Sequence, residues 1–335
     1  MESSEPASGN DRFAPDLPGG GLPESAPAEQ GSLRTVLIAF GANLLVAAAK
    51  TIAAVITGSA SMVAEAAHSW ADTGNEIFLL FAERKGSRRR DASHPMGYGR
   101  DSYVWSMFAA FGLFTVGAVV SIMHGVQQLS GTEPGGNFLI NYVVLAVAFV
   151  LEGTSFLQAF RQARSSADRT GTRTLGFVMH TSDPTLRAVF AEDAAALIGL
   201  LIAGAGIAAH QITGSAVPDA VGSILVGVLL AVVAVVLINR NRNFLVGQAI
   251  NPALRREILG QLLGHPDIDR ITYLHVEFVG PNRVYLVAAI DLTGNLREDD
   301  VAVHLRRIER QLESRDAVEE AVLTLSTKDE PSLTT

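Results

Sequence analysis

The sequence predicts an all-α bundle of six transmembrane helices followed by a small α+β domain on the cytoplasmic side. Three observations lead to this fold class. The chain has 335 residues, of which 48% are hydrophobic and only 18% are charged. It contains six apolar stretches that are each long enough to cross a bilayer. After Asn251 the composition changes to that of a soluble domain.

Each of the six stretches holds about 20 mostly apolar residues, the length that a helix needs to cross the hydrocarbon core. Some carry isolated charges. Even so, membrane spans explain six such stretches in one chain better than a buried bundle in a soluble protein does. The predicted spans are 33–56, 62–82, 102–128, 138–161, 186–209 and 217–238.

The joints between the spans are of two kinds. Those at Thr57–Ser61, Leu129–Asn137 and His210–Ala216 are short and contain no Lys or Arg, whereas the other joints and the segment after the last span are rich in Arg. The positive-inside rule places the Arg-rich segments, and with them both termini, in the cytoplasm. The same Arg blocks could instead contact lipid headgroups. A net charge of −8 argues against a nucleic-acid partner.

The two ends differ from the rest of the chain. Residues 1–32 are rich in Pro, Gly, Ser and acidic residues, which predicts a disordered cytoplasmic tail. They resemble neither a secretory signal nor a transit peptide, which favours a bacterial plasma membrane over an organelle. We assign 33–245 to the transmembrane domain, 250–327 to the cytoplasmic domain and 328–335 to a frayed C-terminus.

The cytoplasmic domain shows the order α-β-β-α-β. Apolar residues have helical spacing in Pro252–Leu263 and Glu298–Leu312, while Ile271–Val279, Arg283–Leu292 and Ala317–Leu325 are typical of strands. This order predicts a ferredoxin-like sandwich with its helices on one face of the sheet. Such domains often pair, so we expect a homodimer. The chain has no Cys, which excludes thiolate metal sites and disulfides.

The second span carries a stripe of polar residues. Glu65, His68, Asp72, Asn75 and Glu76 fall within an arc of roughly 100° on an otherwise apolar helix. His68 and Asp72 are one turn apart, so an imidazole and a carboxylate can converge on one point, as a divalent metal such as Zn²⁺ requires. A single buried His is most often a satisfied core residue. This number of ionisable groups at bilayer depth favours a ligand site or a proton relay.

The fifth span supplies two adjacent carboxylates, Glu192 and Asp193. If both were ionised they would repel each other, so a cation or a shared proton should neutralise them. The alternative is an acidic pair stabilised by a helix N-terminus. The long apolar run that follows the pair favours a site at some depth, facing the second span.

Other polar groups in this domain allow two interpretations each. Lys50 can neutralise a carboxylate or extend to the outer face of the membrane. Glu152 can act as a relay or as a packing acid, and Asp219 is expected to cap the sixth helix. In the loop after the second span, His94 can be a peripheral metal ligand, although a structural loop residue is the better interpretation.

Taken together, these residues resemble those of the cation diffusion facilitator family of divalent-metal transporters. The resemblance covers about residues 33–327, and within the family it is greatest to the zinc transporter 9 branch. It rests on the following segments: Gly58–Met62, Glu65–Asn75, His94–Tyr98, Glu152–Gly153, Ser182–Thr185, Ala191–Ala196 and Asp219–Ser223.

The resemblance implies a transport site between the second and fifth helices, where His68, Asp72 and Asp193 match ligand positions. The usual family His, four residues before that Asp, is Val189 here, and Glu192 is the candidate replacement. This oxygen-rich set makes Mn²⁺, Fe²⁺ and Co²⁺ plausible beside Zn²⁺. The remaining polar groups of the spans are expected to relay protons or to support the ligands: Glu65, Asn75, Glu76 and Glu152.

Two peripheral metal sites of the family look incomplete in this chain. His94 matches a ligand of the loop site, but Tyr98 stands where many members have a second His. The histidines of the C-terminal domain, His265, His275 and His304, form no obvious cluster, so we expect dimerisation to be independent of metal.

The family also implies export of the metal from the cytoplasm in exchange for protons. The metal is the substrate, Zn²⁺ being the first choice, and no bound cofactor is expected. Nothing in the chain resembles a Walker A loop, so ATP is not expected either. An intramembrane metallo-hydrolase that uses Glu192 or Glu65 as general base is disfavoured because the chain has no HExxH helix. A non-transporting scaffold would fit better if the His68 and Asp72 pair were missing.

Overall fold

The computed structural model describes residues 33–130 and 137–334. The predicted cytoplasmic tail, 1–32, lies outside the described residues. In the part of the chain that is described, a helical domain is followed by a small domain with a three-stranded sheet. The predicted fold class, a helical membrane domain followed by a small α+β domain, is therefore confirmed, while the count of six spans stays a prediction.

A long helical stretch coincides with each predicted span. The helices of this domain are α1 (Leu33–Thr57), α2 (Ala60–Gly86), α3 (Gly99–Gly112), α4 (Val120–Gln128), α5 (Phe138–Arg169), α6 (Thr174–His180), α7 (Pro184–Thr213) and α8 (Val217–Leu245). Among the described residues, four stretches are long and apolar enough to cross a membrane, namely 99–128, α5, α7 and α8. The chain is thus a multi-pass membrane protein, and spanning by α1 and α2 stays a prediction.

Two local features depart from the predicted pattern. A π-helical segment, Leu113–Val119, joins α3 to α4 in the middle of the third predicted span. Hydropathy cannot detect such a segment because it changes the backbone hydrogen bonds and not the composition. The short helix α6 lies in a joint that we expected to be a basic loop, and α5 continues to Arg169. Hydropathy marks where the membrane ends, which need not be where a helix ends.

The C-terminal domain has the predicted order of elements, α9 (Pro252–Leu263), β1 (Ile268–Gly280), β2 (Arg283–Leu292), α10 (Glu298–Glu313) and β3 (Val318–Leu325). β2 lies in the centre of the sheet, antiparallel to β1 and parallel to β3. A parallel pair needs a crossover, which α10 supplies. Both helices pack into one apolar core with the inward-facing residues of the sheet.

Residues 328–334, which we expected to be frayed, are held against β1. The backbone N–H of Leu333 donates to the carbonyl of Ile271 at 2.7 Å, and Arg270 donates to the carbonyl of Glu330 at 2.9 Å. The side chain of Leu333 packs against the core of the domain. A single apolar residue in a polar end is too weak a signal for sequence analysis to detect.

The C-terminal domain docks on the end of the helical domain that carries the Arg-rich loops. A Cβ atom on Gly99, at the start of α3, would lie 2.6 Å from the Cα atom of Gly280, so the two backbones touch. Beside this contact, Arg100 forms an ion pair with Glu277 at 2.9 Å. The Arg-rich loop before α3 and the C-terminal domain therefore lie at the same end of the helical domain.

Candidate metal site

The polar stripe of α2 lies deep in the membrane domain. With a rise of 1.5 Å per residue, Asp72 is about 18 Å along the helix from its start at Ala60. If α2 spans the membrane as predicted, this position is close to the middle of the bilayer. The side chains of Glu65 and His68 are fully buried, Asn75 is 1% exposed and Asp72 is 19% exposed. The stripe therefore faces other helices and not the lipid.

His68 and Asp72 form a pair, as their spacing predicts. Nδ1 of His68 lies 3.4 Å from Oδ1 of Asp72. Within the described part of the chain, three buried atoms of this pair have no hydrogen-bond partner. They are both ring nitrogens of His68 and Oδ1 of Asp72. Buried polar atoms without a partner are rare and require an explanation such as a bound ion. An imidazole and a carboxylate with free lone pairs are suitable donors for a divalent metal.

The two carboxylates of the acidic pair of α7 contact different neighbouring helices. Oε1 of Glu192 accepts a hydrogen bond from Nδ2 of Asn75 on α2 at 3.1 Å, and Glu192 is only 7% exposed. Oδ2 of Asp193 instead accepts from the hydroxyl of Ser155 on α5 at 2.7 Å. Adjacent residues of a helix point about 100° apart, which explains the division. Glu192 therefore faces the stripe directly, and Asp193 approaches from the side of α5.

Several carboxylates lie in this part of the helical domain. Asp72 and Glu76 belong to α2, Glu192 and Asp193 to α7, and Glu152 to α5. Carboxylates buried in the same region repel each other when they are ionised, so this region attracts a cation.

The described residues do not hold three or more His, Asp or Glu side chains already gathered as a metal site. The stripe and the acidic pair thus face each other without a closed ligand cage. Val189 packs beside an apolar cluster that includes Leu79 and Ala109, so it offers no donor. The ligand set of His68, Asp72, Glu192 and Asp193 stays a prediction.

Lys50 takes the first of its two expected positions. Its ammonium is fully buried and lies 3.0 Å from Oε2 of Glu65 and 3.4 Å from Oε1 of Glu152. It does not extend to the outer face. The ion triad joins α1, α2 and α5 beside the polar stripe. The last acid of the stripe, Glu76, accepts a hydrogen bond from Asn43 of α1.

Asp219 caps a different helix from the one we expected. Its carboxylate accepts the backbone N–H groups of Ala60 at 2.8 Å and Ser61 at 3.2 Å, the first two residues of α2. It therefore joins α8 to the start of α2, together with the Ser59 hydroxyl, which accepts the N–H of Met62 at 3.2 Å. The prediction that Asp219 caps its own helix was wrong because the neighbouring helix presents free N–H groups at the same level.

His94 belongs to a tight turn between α2 and α3. Its ring stacks on that of Tyr98, with ring centroids 3.9 Å apart. Hydrogen bonds from the hydroxyls of Ser93 and Tyr98 hold the pKa of Asp91 well below its usual range. This arrangement suits a structural loop residue, the interpretation that the sequence favours.

Sequence reasoning missed two residues that donate hydrogen bonds to acidic side chains of this region. Ser155 holds Asp193, and Asn43 holds Glu76. Ser155 is one helical turn after Glu152 and so on the same face of α5, which is a signal that could have found it. Asn43 has no comparable signal, because an isolated Asn in an apolar helix does not indicate its partner.

The family is shown by comparison with known proteins. Residues 36–246 match the model of the cation efflux transmembrane domain. The chain belongs to the cation efflux family. This confirms the resemblance to the cation diffusion facilitators.

The curated relatives agree with the zinc transporter 9 branch. Metal tolerance protein C4 of Arabidopsis thaliana is 35% identical over 80% of this chain and 59% of its own length. The human mitochondrial protein named proton-coupled zinc antiporter SLC30A9 is 33% identical over 84% of this chain and 50% of its own. The mouse protein of that name is 34% identical over 80% of this chain and 47% of its own length. The chain spans about half the length of these relatives.

Proposed function

We propose that this protein is a secondary transporter that exports a divalent metal cation from the cytoplasm in exchange for protons. It is a transporter and not an enzyme. Zn²⁺ is the first candidate substrate, because the animal relatives of this chain are named proton-coupled zinc antiporters. Family membership supports the transport of a divalent cation, and the exchange for protons is our inference from the chemistry of the site.

The observation that carries the proposal is the pair of His68 and Asp72 in the membrane domain, with its unpartnered lone pairs, opposite the buried Glu192. We assign these three side chains as ligands of the transported ion. Asp193 completes the set from the side of α5. Asn75 positions Glu192 by a hydrogen bond. A small rotation of α7 against α2 would change the distance from Glu192 to His68 and Asp72, and would thereby open or close the ligand set.

Protons enter the cycle through the ligands themselves. Metal binding requires a neutral imidazole and ionised carboxylates, so a site that binds the ion releases protons and a site that takes up protons releases the ion. We place Glu76, which lies one turn beyond Asp72 on the side of the Arg-rich loops, on the path of these protons. An inward proton gradient then supplies the free energy for export.

The donor set supports a second candidate substrate class. The usual His is replaced by Val189, which packs in an apolar cluster, so carboxylates outnumber imidazoles around the site. Carboxylate-rich sites suit harder cations, which favours Mn²⁺, Fe²⁺ or Co²⁺. These ions would follow the same mechanism.

The position of the C-terminal domain supports our proposed orientation in the membrane. The Arg-rich loops and the C-terminal domain share one side, which we assign to the cytoplasm. We further propose that the protein works as a homodimer through its C-terminal domain, as the ferredoxin-like fold suggests. A bacterial plasma membrane remains our proposal for the location, although the plant and animal relatives include proteins named as mitochondrial.

Metal uptake into proteoliposomes with an acidic lumen tests this function. Zn²⁺, Mn²⁺, Fe²⁺ and Co²⁺ are offered in turn to the wild type and to the variants Glu192→Gln and Asp193→Asn. We expect uptake of at least one metal by the wild type, a severe loss in Glu192→Gln and a smaller loss in Asp193→Asn. Uptake of none of the four metals by the folded wild type would instead favour a non-transporting scaffold.

A further inference from the structure

The buried ion triad of Lys50, Glu65 and Glu152 has no role in the mechanism described so far. Two carboxylates from α2 and α5 face one ammonium from α1, at 3.0 and 3.4 Å. Lys50 and Glu65 are fully buried, and the Glu152 side chain is 17% exposed. A buried lysine is costly unless carboxylates compensate it, and Glu65 and Glu152 supply that compensation.

The triad has the donors of a second cation site. Oε1 of Glu65 is buried and has no hydrogen-bond partner in the described part of the chain. This oxygen faces α7, where a Cβ atom on Gly199 would lie only 2.8 Å from it, so the glycine leaves room for the carboxylate. Without the ammonium, the two carboxylates of α2 and α5 that now contact Lys50 would remain with unused lone pairs, an arrangement that attracts a divalent ion.

The triad also adjoins the proposed site on both sides. Along α2, Glu65 lies one turn before His68, and along α5, Glu152 lies one turn before Ser155, which holds Asp193. A metal ion bound between Glu65 and Glu152 would therefore lie next to the transported ion. Two divalent ions so close together would repel each other strongly at bilayer depth, where the dielectric constant is low.

We propose that Lys50 is a built-in counter-cation that excludes a second divalent ion from Glu65 and Glu152. The inference rests on the proposed function, because it assumes that the neighbouring residues bind the transported metal. The ammonium is tethered to α1, so its effective concentration at the carboxylates stays high, and free metal competes poorly with it. The membrane domain then holds one ion, at His68 and Asp72.

Counting bound ions tests the proposal. The full chain is placed in lipid nanodiscs, dialysed against Zn²⁺ and, in parallel, against Mn²⁺, and the metal content is measured by elemental analysis. Lys50→Gln removes the charge but keeps a donor for Glu65, and we expect it to bind one more ion per chain than the wild type. The charge-conserving Lys50→Arg should bind the wild-type number. Lys50→Gln combined with Glu152→Gln should return to that number.

A second pair of variants separates this inference from the proposed function. Asp72→Asn should bind one ion fewer than the wild type, and Asp72→Asn with Lys50→Gln should bind one more than Asp72→Asn alone. Metal bound by other parts of the chain cancels in these differences. An unchanged count in Asp72→Asn would contradict the proposed site, whereas an unchanged count in Lys50→Gln would overturn the role of Lys50 and mean that protons neutralise the carboxylates.

Loss of one partner of a buried pair can unfold a protein, so a stability measurement accompanies the count. If Lys50→Gln does not fold in a chelator, the proposal predicts that Zn²⁺ or Mn²⁺ restores its thermal unfolding transition. The same addition should not rescue the variant that also carries Glu152→Gln. Failure of both metals to restore Lys50→Gln would overturn the proposal.

Discussion

The hydrogen bond between Asn75 and Glu192 is the direct link between the polar stripe of α2 and the acidic pair of α7. The donor is 1% exposed and the acceptor 7% exposed, and the bond is 3.1 Å long. A hydrogen bond to a charged group contributes about 1.5–3 kcal/mol. Because about 1.4 kcal/mol corresponds to a factor of ten in an equilibrium constant, Asn75→Ala should weaken metal binding roughly 10- to 100-fold.

The assay is the Kd of Zn²⁺ for the full chain in nanodiscs, measured by competition with a fluorescent chelator. Asn43→Ala is the matched control, because it removes an amide that also donates to a carboxylate, that of Glu76, which is not an assigned ligand. We expect little change in the control. If Asn75→Ala kept the wild-type Kd, or if Asn43→Ala weakened binding equally, the assignment of Glu192 as a ligand positioned by Asn75 would be wrong.

Three further predictions concern the cap, the domain contact and the missing His. Asp219→Ala leaves two buried N–H groups of α2 without an acceptor, at a cost of about 1–3 kcal/mol each. The thermal unfolding temperature of this variant should therefore fall, whereas the control Asp101→Ala, in the first turn of α3, should unfold close to the wild-type temperature. Equal unfolding temperatures for the two variants would contradict the role of Asp219 as a cap of α2. Gly99→Val should push the C-terminal domain away and increase hydrogen exchange in 277–283, whereas Gly176→Val, with no described atom within 4 Å of its Cβ position, should not. Val189→His should shift transport towards Zn²⁺ over Mn²⁺, and Val189→Asn, which is polar without an imidazole, should not; unchanged selectivity in Val189→His would mean that this position does not face the site.

The parts of the structure that depend on local sequence could be predicted. The long helices and the order of elements in the C-terminal domain follow from apolar periodicity, which each segment carries on its own. The pairing of His68 with Asp72 follows from a spacing of one turn on a single helix. These features need no knowledge of which helix packs against which.

The parts that depend on packing between helices could not be predicted. The direction of Lys50 is decided by Glu65 and Glu152, which lie on two other helices, so its own sequence neighbourhood leaves both directions open. Asp219 caps α2 and not α8 for the same reason. The separation of Glu192 from Asp193 was foreseeable as an angle of about 100°, but which of them faces α2 depends on the rotation of α7 in the bundle.

The most direct test of the account measures metal and proton movement in the same proteoliposomes. The lumen is acidic and contains a pH indicator, and Zn²⁺ or Mn²⁺ is added outside to the wild type or to Asp72→Asn. The account predicts that metal entry makes the lumen less acidic in the wild type and that both fluxes vanish in Asp72→Asn, while the variant keeps its fold. Metal entry without proton exit, or wild-type fluxes in Asp72→Asn, would contradict proton-coupled transport through this site.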